Sequence, residues 1–173
     1  MHFSLPTAMT LLAAALLPQA KANFDVYRVE AISPRGGVSV YWQAFEAEGS
    51  CAKTGTFSQI WISRDDVSGS KKGVRCKGSG CAAQAPIRDI EQLEMHFSNN
   101  PLYHWTIYNN RDNGQFLMYG LNGRTYGNCI PFPNGDYNCV DFLGVRWQGR
   151  RKFRCLTQYT ANDLYKDNPP IGS

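Results

Sequence analysis

Histidine is scarce in this chain, three in 173 residues, and no two cysteines stand in C-x-x-C spacing. Together these shortages argue against a structural zinc, which takes four clustered sulfur and nitrogen ligands. There is no Asn-x-Ser/Thr triplet, so N-linked glycans are not expected. Beyond residue 22 no apolar run approaches the roughly 20 residues that span a bilayer as a helix. Repeats and low-complexity stretches are missing as well. Gly78-Ser79-Gly80 lacks the strand–Ser–helix setting of a nucleophile elbow and reads as a flexible loop. Asp65-Asp66 is not followed by an Asp-x-Asp-x-Asp-Gly calcium loop and reads as a capping or solvated pair. No cofactor is implied.

What is present begins with residues 1–22, MHFSLPTAMTLLAAALLPQAKA. The apolar run from Leu5 to Leu17 is too short to cross a membrane, and Ala20 and Ala22 are small enough for a signal peptidase. The expectation is a cleaved signal peptide and a single mature domain over residues 23–173, secreted and extracellular. All six cysteines (Cys51, Cys76, Cys81, Cys129, Cys139 and Cys155) lie in that domain. An even number in an exported chain predicts three disulfides. The pairing is open among 15 arrangements for six cysteines, with Cys76–Cys81 and Cys129–Cys139 as the local candidates.

The formal charge of the whole chain is +4, and Lys21 leaves with the leader. So small an excess does not by itself imply nucleic acid, but it is unevenly spread. Arg146, Arg150, Arg151, Lys152 and Arg154 crowd one segment, and Lys71, Lys72, Arg75 and Lys77 another. Such runs fit an anionic partner, whether RNA, acidic polysaccharide or lipid headgroup; a solvated strand face and a solvated loop are the plainer alternatives.

Turn residues punctuate the chain into strands. Residues 24–32 and 38–46 alternate around Ser-Pro-Arg-Gly-Gly, a hairpin signal. A short strand is expected over 57–62 and a long cysteine-stapled loop over 63–86. Asn113-Gly114, Asn122-Gly123 and Asn134-Gly135 tolerate the positive φ of tight turns, and they separate strands expected at 103–108, 116–121, 124–130 and 137–142. An arginine-rich strand over 145–157 follows, then one helical turn at 161–165 and a loose tail over 166–173. Residues 87–97 are ambiguous: Asp89 with Gln92 suits a helix cap, while Leu93, Met95 and Phe97 alternate as in a strand. The expected fold is therefore mainly β, a single domain with an antiparallel meander sheet, little helix and disulfide staples.

His96 and His104 are the histidines left after the leader, in LEMHFSNNPLYHWTIY. If both flanks are strands, pairing Phe97 with Tyr103 puts Leu93, Met95, Phe97, Tyr103, Trp105 and Ile107 on one apolar face. Gln92, Glu94, His96, His104, Thr106 and Tyr108 then share the other. A slip of one residue mixes the two faces, and a buried face selects strongly against that. His96 and His104 are thereby predicted to lie directly opposite each other, with Glu94 alongside. Two imidazoles and a carboxylate can exchange protons, and with a nearby arginine they suit metal-free cleavage of RNA. They could equally hold a metal through two histidines and one carboxylate, or be ordinary cross-strand neighbours on a wet sheet face.

This sheet-face set resembles the His/Glu/Arg/His site of the small secreted fungal ribonucleases. The resemblance covers Glu94, His96 and His104 as catalytic candidates; Arg124 and Arg146 are guesses for the arginine. The layout as a whole is similar to the small, secreted, cysteine-rich proteins of filamentous fungi, many of them candidate virulence effectors, on the leader, the single β-rich domain and the six cysteines. That similarity is one of class and not of motif. It implies a binding protein of effector or toxin type, acting on an extracellular or host macromolecule through a surface such as the basic strand. The alternative is a secreted metal-independent ribonuclease.

Overall fold

β1 (Asn23–Ile32) and β2 (Val38–Phe45) form the expected first hairpin, closed by the turn at residues 33–37. The structure is a computed structural model and describes residues 23–54 and 60–166. The expected leader, residues 57–59 of the expected 57–62 strand, and the tail beyond Lys166 lie outside the described residues. After a short helix α1 (Cys51–Thr54) come β3 (Ile60–Ile62), β4 (Gly73–Lys77), β5 (Gln92–His96), β6 (His104–Tyr108), β7 (Leu117–Gly120), β8 (Thr125–Pro131), β9 (Tyr137–Val140) and β10 (Arg146–Thr157), then helix α2 (Ala161–Lys166). Every strand pairing is antiparallel.

The sheet runs β3-β2-β1-β10-β8-β7-β6-β5-β4, so two meanders are joined through β10. That strand is long enough to carry β1 along one side and to share its other side between β9, on Arg146–Gly149, and β8, on Phe153–Thr157. The two ends of the sheet meet at a bridge between Ser63 and Val74, which nearly closes it on itself. Closure hides the unpaired backbone edge that a long open sheet would expose.

Inside lie Phe24, Val26, Trp42, Leu93, Met95, Phe97, Trp105 and Phe153, all at most 1% exposed. A second cluster, Tyr27, Phe45, Tyr137 and Trp147 among them, sits on the opposite side of the β1–β2–β10 segment. Gly149 is obligatory there, because a Cβ at that position would stand 2.0 Å from the Tyr137 ring.

Three disulfides pin the ends of these elements: Cys51–Cys139, Cys76–Cys81 and Cys129–Cys155. The expected local pair Cys76–Cys81 forms. The other local candidate, Cys129–Cys139, does not, because Cys129 and Cys155 are direct cross-strand partners on β8 and β10. Cys139 on β9 is left to reach the separate segment at Cys51.

Two further expectations change. The segment read as one long loop, 63–86, contains β4, whose Gly-Val-Arg-Cys-Lys sequence has little apolar alternation and is recruited by pairing with β5. Residues 87–97 are resolved in favour of the strand: a single 3-10 turn at Ile87–Asp89 gives way to β5, and Asp89 caps no α-helix. No helix among the described residues is long and apolar enough to cross a membrane.

Candidate functional site

β5 and β6 pair in the register that places Phe97 against Tyr103, Met95 against Trp105 and His96 against His104. The apolar face enters the core as expected. On the other face β4 lies beside β5 with Arg75 directly opposite Glu94. The Glu94 carboxylate accepts a hydrogen bond from the Arg75 Nη2 group on Oε2 and one from His104 Nε2, at 2.9 Å, on Oε1. The arginine of the cluster is therefore neither Arg124, which lies in the exposed β7–β8 turn, nor Arg146, which opens β10. Arg75 falls in the segment 63–86 that the sequence reads as a loop, and only the β4–β5 pairing brings it to the carboxylate.

The rings of His96 and His104 are stacked, with centroids 4.3 Å apart and planes 12° from parallel. His96 Nδ1 is 2.8 Å from the Val67 carbonyl oxygen, an acceptor, so Nδ1 carries the proton. Glu94 fixes the proton of His104 on Nε2 in the same way. The remaining lone pairs are on His96 Nε2 and His104 Nδ1. They belong to rings that are 2% and 5% exposed. Burial pushes the His104 pKa down, assisted by the neighbouring His96; the hydrogen bond and charge of Glu94 pull the other way without overcoming it.

The β3–β4 connection reaches His96. Val67 is 1% exposed and brings its carbonyl onto His96. The connection is braced from within: Asp66 accepts from the Ser68 amide at 2.9 Å and is ion-paired with Lys71, and Arg64 Nε donates to the Lys72 carbonyl. The hydrogen bond from Lys71 holds the Asp66 pKa well below the ordinary carboxylate range. Further along the same face Thr106 and Tyr108 follow, and Arg111 stacks over Tyr108 and Tyr119, 4.1 and 5.7 Å from their centroids. Glu94 gives its two oxygens to Arg75 and His104, and His96 Nδ1 is taken by the Val67 carbonyl. Among the described residues no group of three or more His, Cys, Asp or Glu could hold a metal ion.

The basic strand is not one open patch. Arg151 is buried, with Nη1 on Asp25 at 2.9 Å and Nε on the Phe132 carbonyl. Arg154 makes a two-pronged pair with the same Asp25, at 2.7 and 2.8 Å, and Arg150 pairs with Asp136 at 2.9 Å. Lys152 falls in a β-bulge opposite the Val26–Tyr27 step and turns inward, where its ammonium donates to the carbonyls of Gly80, Ala82 and Ala85. Burial brings its pKa down to about 8. Arg146 alone of the five is exposed and without an ion pair among the described residues. A run of cations in a strand reads as a charged face only while its acids, here Asp25, Glu48 and Asp136, are unseen; these come from distant parts of the chain.

Asp136, Arg150 and Lys152 line a groove of about 420 Å³ with Pro86, Pro131 and Pro133. Beside the paired or caged groups just described, the exposed Arg88 also lines it, 3.8 Å from the Asp89 carboxylate. No protein-family model, curated protein or solved structure matches the chain.

Proposed function

We propose that this protein is an exported, disulfide-stabilised binding protein of effector or toxin type that recognises an extracellular or host macromolecule. One observation carries the choice of binding over catalysis: His96 and His104, the residues of the cluster best suited to proton transfer, are buried at 2% and 5% exposure. A general acid or base must reach the proton it moves, directly or through one water. Glu94 already has both oxygens engaged by Arg75 and His104. The cluster then works as an internal brace joining β4, β5 and β6, and recognition falls to the exposed surface.

A second reading rests on a specific observation as well. Arg75 completes a His/Glu/Arg/His set on one sheet face, the composition that a metal-free ribonuclease would use. In that reading Glu94 or a histidine takes the 2′-hydroxyl proton, a histidine protonates the leaving oxygen, and Arg75 steadies the phosphorane.

Incubating the oxidised protein with RNA between pH 5 and 7, with and without chelator, separates the two. RNA that stays intact throughout, while the protein is retained on an anionic matrix, is the result expected of a binding protein. Cleavage that survives chelator and disappears in both His104→Ala and Arg75→Gln would replace it with the ribonuclease.

A further inference from the structure

The turn joining β9 to β10 is Asp141-Phe142-Leu143-Gly144. The Gly144 amide donates to the Asp141 carbonyl and Gly144 has φ 79°, a tight turn followed by one left-handed residue. Asp141 is wholly used in holding it: Oδ1 accepts from the Leu143 and Val145 amides, and Oδ2 from the Trp147 indole at 3.0 Å. The two apex positions need no particular side chain. They carry Phe142, 92% exposed, and Leu143, 63% exposed. The fold gains nothing from either side chain, yet it presents both on a turn anchored at four points.

The surroundings extend this apex. Arg146 on β10 pairs with Val140 on β9 and with Ile32 on β1, and Ile32 pairs with Val38 on β2. Directly opposed residues of an antiparallel sheet point to the same face, so Val38, Ile32, Arg146 and Val140 form one row. Val38 and Val140 are 57% and 68% exposed. The β1–β2 turn lies alongside, with Pro34 beside Gly144 across a cleft of about 240 Å³, and it carries the exposed Arg35. Arg35 and Arg146 have no ion pair among the described residues; the carboxylate within the turns, Asp141, is held ionised by its hydrogen bonds, so the turns carry two cations against one anion. Glu30 sits one row further in.

We propose that these paired turns are a docking tip for the surface of an anionic lipid bilayer, with Phe142 and Leu143 entering the acyl boundary and Arg35 and Arg146 at the phosphates. The proposal gives a partner class to the binding role proposed above and rests on it. Charge order decides for lipid: apolar side chains occupy the apex of the β9–β10 turn, Arg146 stands in the strand row behind it and Arg35 on the neighbouring turn, and an interfacial anchor combines apolar and cationic groups in this way. A stable protein interface would bury about 800 Å² on each side, and a two-residue turn apex with a single flanking row is a narrow projection by comparison. The rigid turn also means that little conformational freedom is lost on insertion.

The test is co-sedimentation of the oxidised protein with phosphatidylcholine vesicles containing phosphatidylserine, and with phosphatidylcholine alone. Phe142→Ser/Leu143→Ser should lower partitioning by more than tenfold, and Arg35→Ser or Arg146→Ser by about fivefold each on the anionic vesicles. All four positions are exposed, so circular dichroism and thermal midpoints should match the parent. In Phe142→Trp, the added fluorescence should shift to the blue on vesicles and be quenched by brominated lipid. Vesicle binding unchanged by Phe142→Ser/Leu143→Ser overturns the proposal. So does a loss of self-association, rather than of vesicle binding, in that variant, which would make the tip an interface between copies. Failure to bind either vesicle with retention on RNA or acidic polysaccharide also overturns the lipid tip while leaving the binding role standing. Retention on none of these surfaces counts against both.

Discussion

His96 and His104 face each other ring to ring across β5 and β6, 4.3 Å between centroids. The affinity of His104 for a proton is displaced downward, by burial first and by the neighbouring His96 in addition.

The displacement has a definite sign. A histidine that binds its proton more weakly when folded leaves the unfolded chain holding more protons as the pH drops below about 6.5. Stability from this group is complete above that pH and is lost as the pH falls toward the folded value. The thermal midpoint of the parent should therefore drop more between pH 7.5 and pH 5 than that of His104→Gln. Every other titrating group is present in both proteins. Parallel melting curves across that range would show that His104 is not the group responsible.

Arg75 and Glu94 are partly exposed, at 29% and 16% of their side chains. Solvent screens such a pair, so its loss costs less than that of a fully buried one. Arg75→Met should destabilise by about 1–2 kcal/mol, with the largest loss of amide protection in β4, the strand held at the end of the sheet. A chemical-denaturation curve coincident with the parent would mean that the pair adds nothing to the fold.

Asp25 presents a sharper case. It is 1% exposed and is the shared acid of Arg151 and Arg154. Asp25→Asn keeps the shape but leaves the buried Arg151 guanidinium with only the more exposed Glu48 as a counter-charge. A cost of about 3–5 kcal/mol is expected, read as a lower denaturant midpoint. A loss below about 1 kcal/mol would place Arg151 in a wetter setting than its contacts describe.

The disulfides should rank by the loop each one closes. Cys51–Cys139 spans 88 residues, Cys129–Cys155 spans 26 and Cys76–Cys81 spans 5. Chain entropy alone assigns about 4–5, about 3–4 and about 2 kcal/mol to loops of these lengths. Paired serine substitutions, measured by thermal unfolding, should follow that order. A larger loss at Cys76–Cys81 than at Cys51–Cys139 would show that native strain or residual unfolded structure outweighs loop length.

The β5–β6 hairpin was legible in the sequence because its apolar residues alternate without a gap on both sides of residues 98–102. Burial of Leu93, Met95, Phe97, Trp105 and Ile107 then leaves one register. The hairpin at β1–β2 and the turn at Asn122-Gly123 were legible for similarly local reasons, alternation in one case and positive φ in the other. β4 was not, since Gly73–Lys77 has no alternation of its own and becomes a strand by pairing at the end of the sheet.

Local pattern thus determined a β-rich domain, its main hairpins, the two opposed histidines and the presence of three cross-links. Those features depend on residues a few positions apart, and the alternation of side chains along a strand is the same wherever that strand ends up. Tertiary structure decided which arginine meets Glu94, that the Val67 carbonyl meets His96, and that Asp25 pairs with two members of the basic strand. It also decided that Cys139 joins Cys51 and that Phe142 stands in the open beside Pro34's turn. Each of these is a meeting of segments distant in the chain, settled by how one sheet curls almost shut, and no periodicity in a single strand encodes that closure.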